Sequence, residues 1–147
     1  MAIIDVNNTR IAKLGLYLET ILEELNDKYR KINADFLGID VNNYSLDKIP
    51  TASEVEIWLT GTKVCRDVYS FRSRNAYSSS RLSNLKNIGF FEEFQRKINS
   101  NNDNGVLPEI ENIESIECLN QGTFNSADES EKTAVFDIQL QIVYREG

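Results

Sequence analysis

Arg66, Arg72 and Arg74 share the short run KVCRDVYSFRSRN with Tyr69 and Phe71, in a chain of 147 residues whose formal charge is −7. Guanidinium groups hold phosphates or carboxylates through paired N–H donors, and aromatic faces stack nucleic-acid bases. The run alternates as a strand does, which places Arg66, Arg72 and Arg74 with Val64, Val68 and Ser70 on one face. Cys65, Tyr69 and Phe71 then share the other face with Asp67. Cations and rings so divided do not form one stacking surface, and the acidic balance of the chain also disfavours phosphate binding. A nucleic-acid-binding module built on this arginine and aromatic strand is therefore the alternative reading. The first reading is a strand whose arginines meet carboxylates of another protein subunit.

Other reactive groups are sparse. The sequence has no histidine, so the side chain that titrates nearest neutrality is missing from any triad or proton shuttle. Glu92 and Glu93 adjoin in sequence, yet successive helical residues point about 100° apart, so they make no acid and base pair by themselves. Cys65 and Cys118 stand 53 positions apart without a nearby ligand set, and both read as small buried apolar residues. No glycine-rich phosphate loop, metal-ligand spacing or internal repeat is present. The expectation is a protein without catalytic, cofactor-binding or metal-binding residues, and not an enzyme.

Charge is unevenly spread. Residues 63–97 hold eight basic and three acidic side chains, a local balance of +5 that leaves −12 for the rest. A bipolar chain of this kind suits docking between unlike surfaces of neighbouring copies. Its length and apolar content fit one domain, 1–147, with a core. The start, MAIIDVNNTR, has no signal-peptide core, and no run approaches the roughly 20 apolar residues of a spanning helix, so an intracellular protein is expected.

The elements that position these residues follow from periodicity. Residues 9–32 carry Ile11, Leu14, Leu18, Ile21, Leu22, Leu25, Tyr29 and Ile32 at spacings of three and four, which predicts a helix capped by Asn8 or Thr9 and ended by Asn33. Residues 33–53 read as a loop-rich crossing with one short strand near residues 36–39. Residues 54–60 alternate, with Val55, Ile57 and Leu59 on one face, and Thr60, Gly61 and Thr62 supply a hairpin turn into the arginine strand. A helical region over residues 81–99 keeps Leu82, Leu85, Ile88, Phe91, Phe94 and Ile98 on one stripe, with a bend expected at Gly89. Extended runs at residues 110–119 and 133–145 close the chain, joined by a polar, acidic loop over residues 121–132. Hairpins at both sheet segments predict an α+β fold, an antiparallel (mixed) β-sheet with helices packed on one face.

The succession YSFRSR, AY, NLKNIGFFEEF, NGVLPEI, IESIEC and a terminal strand ending in QIVY resembles a family of tailed-bacteriophage minor capsid proteins, which look like tail-terminator (tail-completion) proteins. The resemblance covers residues 54–144. It departs from the family pattern where a glycine-rich strand turn is reduced to Gly61, and where Gln95, Arg96 and Lys97 stand in place of a helical tryptophan.

What the resemblance implies is a small tail-terminator-like α+β domain. Copies form a ring, commonly a hexamer, that caps the tail tube and offers a surface to the head connector. The implied partners are further copies of the chain, the tail-tube protein, a head connector, neck or collar protein, and a sheath protein where the tail has one. No membrane is involved, DNA is met only in transit, and the implied place is the tail or neck of a virion assembled in the host cytoplasm. Within a ring, the expected contacts set Arg66, Arg72 and Arg74 against Glu54 and Glu56, or against Asp128, Glu129 and Glu131, of a neighbour. The loop over residues 121–132, with Gln121, Phe124, Asp128, Glu129 and Glu131, is the candidate tip facing the tube or its lumen.

Overall fold

The computed structural model describes residues 5–25, 32–34, 43–50, 54–76, 81–120, 122–128 and 133–146. Helix α1 (Arg10–Leu25) is followed by strands β1 (Ile32–Ala34), β2 (Asn43–Ile49), β3 (Glu54–Ile57) and β4 (Lys63–Ala76). Helix α2 (Arg81–Asp103) then leads to β5 (Ile113–Cys118), β6 (Thr123–Asp128) and β7 (Thr133–Glu146). The fold is α+β, with helices packed against a largely antiparallel sheet.

Two long strands set the frame. β4 and β7 pair antiparallel from Lys63 opposite Glu146 to Ala76 opposite Thr133. On the outer edge of β4, β2 pairs with its second half and β3 with its first. On the outer edge of β7, β5 and β6 divide the length in the same way. Each long strand thus faces a partner interrupted once, near Pro50 on one side and Gly122 on the other. β1 adds in parallel outside β2. Proline lacks the N–H that a ladder needs, which accounts for the first interruption.

At Gly122 the reason is space: a Cβ built there would fall within the Phe91 ring. Glycine lets the backbone approach α2 where any side chain would collide. The β3–β4 turn uses the other property of glycine. Gly61 has φ 88°, and Trp58 N–H donates to Thr62 O at 2.8 Å to close the turn.

Helix ends follow side-chain chemistry. Thr9 Oγ1 accepts from Ala12 N–H at 3.3 Å and caps α1, as its position predicts. α2 ends in a Schellman motif, with Gly105 at φ 73°, Val106 N–H donating to Asn101 O (2.8 Å) and Gly105 N–H to Asn102 O (3.3 Å). Asn102 also accepts from Ile116 N–H through Oδ1 (3.0 Å), which ties the helix end to β5.

One face of the sheet carries the core. Cys65, Tyr69 and Phe71 of β4 and Phe136, Ile138, Leu140, Ile142 and Tyr144 of β7 are buried there. Leu14, Leu18, Ile21 and Leu22 of α1 and Phe91, Phe94 and Ile98 of α2 pack against them. Tyr44, Phe71 and Phe94 form a stack, with centroids 5.6 and 5.0 Å apart and planes within 10°. Such pairs contribute about 0.5–1.5 kcal/mol beyond the area they bury.

Several expectations need correction. Ile32 and Asn33 belong to β1 and not to the first helix or its end, because Ile32 N–H finds an acceptor in Glu19 Oε1 (3.3 Å) and pairs with Tyr44. The crossing expected over residues 33–53 contains β2, whose Tyr44 and Leu46 alternate into the core; the short strand expected at residues 36–39 lies outside the described residues. α2 runs unbroken through Gly89, since the stripe of Phe91, Phe94 and Ile98 buries enough apolar surface to outweigh the propensity cost of one glycine, about 1 kcal/mol. The side chains of Leu82, Leu85 and Ile88 lie outside those described.

The acidic loop is also corrected. Residues 123–128 form β6, a strand paired with β7, so Phe124 and Asp128 sit on a strand and not on a loop. Gln121, Glu129 and Glu131 lie outside the described residues.

Candidate assembly surface

The arginine face of β4 is the sheet face away from the helices. Opposite residues share a face, so Arg66, Ser70, Arg72 and Arg74 are flanked on β7 by Val143, Gln139, Asp137 and Val135. Arg72 Nε lies 2.5 Å from Asp47 Oδ2, with its N–H not aimed at the oxygen, so the contact is a charge pair and not a hydrogen bond. Ser45 donates to Asp47 Oδ1 at 2.6 Å and steadies that carboxylate. Arg74 Nη1 donates to Thr133 Oγ1 at 3.3 Å. Arg72 and Arg74 are thus engaged inside their own sheet, half-buried along its surface.

Of the acidic residues expected to meet these arginines from a neighbouring copy, those described sit elsewhere on the same sheet. Glu54 and Glu56 pair in register with Cys65 and Val64 near the start of β4, and Glu56 is exposed. That end is beside Arg66 and distant along the strand from Arg72 and Arg74. Asp128 pairs in register with Thr133, so β6 brings its backbone to the end of the sheet that holds Arg74. Tyr69 and Phe71 are buried under the helices and offer no face to a base.

Under the helices, the sequence places a carboxylate among the apolar side chains. Asp67 is almost wholly buried. Its Oδ2 accepts from Arg10 Nε (2.6 Å) and from Tyr69 Oη (3.0 Å), and its Oδ1 accepts from Tyr144 Oη (3.3 Å). Lys48 Nζ lies 3.7 Å from Oδ1, and the Arg10 guanidinium rests 4.4 Å above the Tyr144 ring. Burial pushes the carboxyl upward, but the donors Arg10 and Tyr69 with the charges of Arg10 and Lys48 outweigh it and hold Asp67 below its ordinary value. The same burial and the Asp67 charge push Tyr144 up to about 12 and Tyr69 upward as well. The cluster holds the first turn of α1 to the sheet. A carboxylate in step with Cys65, Tyr69 and Phe71 was the sequence signal for it.

At the β3–β4 turn the surface is apolar instead. Ile57 is 61% exposed and Leu59 fully so, while Trp58 is capped on one side by Arg145, whose guanidinium lies 4.6 Å from the ring centre. Arg145 also pairs with Glu114. The alternation of residues 54–60 predicted the hairpin, but the face with Ile57 and Leu59 runs beyond the core. Apolar residues placed directly against the Thr60–Gly61–Thr62 turn were the sign of an exposed tip.

A groove of about 550 Å³ lies between α1 and α2, closed at one end by the segment after α2. Leu16, Tyr17, Ile21, Val106, Leu107 and Pro108 form its apolar lining. Tyr17 Oη donates to Val106 O at 2.9 Å and Lys97 pairs with Glu24 at 2.8 Å, so both walls are fixed. Among the described residues no three histidine, cysteine or carboxylate side chains group as a metal site, and no helix is long and apolar enough to cross a membrane.

Fold and surface together define an α+β domain with one helix-covered sheet face, one sheet face that mixes arginine, aspartate and glutamine with valine, and an apolar hairpin tip at the end. No protein-family model matches the chain, and no curated protein was found to be similar to it.

Proposed function

We propose that the protein is a structural, non-enzymatic subunit of a ring that caps the tail tube of a phage or phage-tail-like particle and joins it to a head connector or collar. The observation that carries this reading is the solvent-facing tip of Ile57, Trp58 and Leu59. Contiguous exposed apolar side chains at the end of a rigid hairpin mark a protein contact, because water penalises leaving them uncovered. The tail-terminator resemblance supplies the partner class.

Two features support the reading further. The sheet face away from the helices mixes Arg72, Asp137 and Gln139 with Val64 and Val143, and it can meet a flat protein ring without disturbing the core under the helices. The net negative charge disfavours tight phosphate binding, which suits a passage that DNA must leave. A ring needs two different contact patches on each subunit, and the tip is one of them.

Negative-stain images of the purified protein with tail tubes test the proposal. Density closing tube ends is expected. Tubes with bare ends at saturating protein refute it.

A further inference from the structure

The structure assigns the groove between α1 and α2 to the β3–β4 tip of a second copy of the chain. This inference deepens the ring reading and rests on it, by naming the second of the two patches that a ring subunit requires. Ile57 and Leu59 project from a tight turn whose backbone is closed by Trp58 and Thr62, so the tip meets a partner as a formed knob. Leu16 and Val106, 62% and 53% exposed, are the matching apolar surface at the groove. Its volume lies within the roughly 300–1,000 Å³ typical of sites that enclose small apolar groups, enough for the two exposed side chains of the tip.

Charge sets the orientation. Glu56, beside the knob, and Lys13, on the groove rim, both lack an ion-pair partner among the described residues. When Ile57 and Leu59 enter the groove of a neighbour, Glu56 is the carboxylate that reaches Lys13 of that copy. Of the other charges near the two patches, Arg145 is engaged with Glu114 and Lys97 with Glu24, while Glu109, at the end of the groove formed by the segment after α2, has no ion pair among the described residues. The tip and groove are different surfaces, so each copy offers one of each and the contact passes from copy to copy. Such a head-to-tail contact closes into a ring when its rotation divides a full turn.

Mixing two variants of the full chain tests the contact. A tip variant, Ile57→Ser with Leu59→Ser, and a groove variant, Leu16→Asp with Val106→Asp, alter exposed side chains only, and their thermal melts should match that of the parent. The parent chain is expected to self-associate in multi-angle light scattering, and each variant alone to run at the monomer mass of 16.8 kDa. An equimolar mixture retains one intact tip and one intact groove, and is expected to give a species of twice that mass. Glu56→Lys is expected to weaken this pairing when carried on the groove variant, and Lys13→Glu on the tip variant to restore it.

Variants that keep the parent mass overturn the tip-in-groove contact and leave the ring reading standing. A mixture that remains monomeric overturns it too, and so does a parent chain that stays monomeric at every concentration. In that last case the images of tube ends decide the ring reading separately.

Discussion

The two faces of β4 each carry an arginine and aspartate pair, and they do opposite things. Under the helices, Arg10 meets an Asp67 side chain that is 1% exposed and accepts from three donors. On the open face, Arg72 meets an Asp47 side chain that is 22% exposed, between strands that are already paired from Asn43 to Ile49. The first pair joins residues 57 apart in sequence and fixes a helix to the sheet. The second adds to a ladder that stands without it. The difference teaches that ion-pair chemistry counts here by burial and by how many donors depend on one acceptor, not by the number of arginines in a row.

The largest effect should therefore come from the buried face. Asp67→Ala leaves the Tyr69 and Tyr144 hydroxyls and the Arg10 guanidinium without their shared acceptor. Removing one partner of a buried pair costs about 3–5 kcal/mol, and the exposure of Arg10 places this case near 3 kcal/mol. Urea denaturation followed by circular dichroism should show the midpoint fall at unchanged slope. A loss under ~1 kcal/mol would remove the contrast between the faces.

Acid titration sharpens the same contrast. The native carboxyl of Asp67 is held below its unfolded value, which is about 3.9, so the stability it contributes is complete above that pH. It is lost as pH falls through the lower native value. The stability gap between the parent protein and Asp67→Asn should be constant near neutrality and narrow below about pH 4. A gap independent of pH down to acid unfolding would mean that Asp67 is not the charged acceptor.

How much of this was legible beforehand depends on how local each signal is. The alternation of Phe136, Ile138, Leu140, Ile142 and Tyr144 and the stripe of Leu14, Leu18, Ile21 and Leu22 announce a strand and a helix, because burial on one face is written in their spacing. β2 was hidden because its core residues, Tyr44 and Leu46, are separated by polar residues and flanked by turn formers. Its strand state comes from hydrogen bonds to β4, which are not local. β6 escaped for the same reason, as a polar edge segment that takes its conformation from β7. The division of β4 into an arginine face and an apolar face was visible in advance. That Arg72 finds Asp47 was not, since the pairing depends on the missed strand.

The smallest effect should come from the open face, and it bears on assembly as much as on stability. An exposed or half-exposed ion pair contributes about 0.2–1 kcal/mol, so Arg72→Ala should lower stability by no more than that. Arg72→Glu places like charges beside Asp47 and Asp137 and should cost somewhat more, still far less than Asp67→Ala. If the arginine row were itself the contact between copies, this reversal would abolish association by setting carboxylates against carboxylates of the neighbour. Because Arg72 is charge-paired with Asp47 within its own sheet, and the apolar tip lies at the other end of β4, the expected light-scattering mass of Arg72→Glu equals that of the parent protein. Dissociation by Arg72→Glu with an unchanged melting profile would move the contact from the tip to the arginine face.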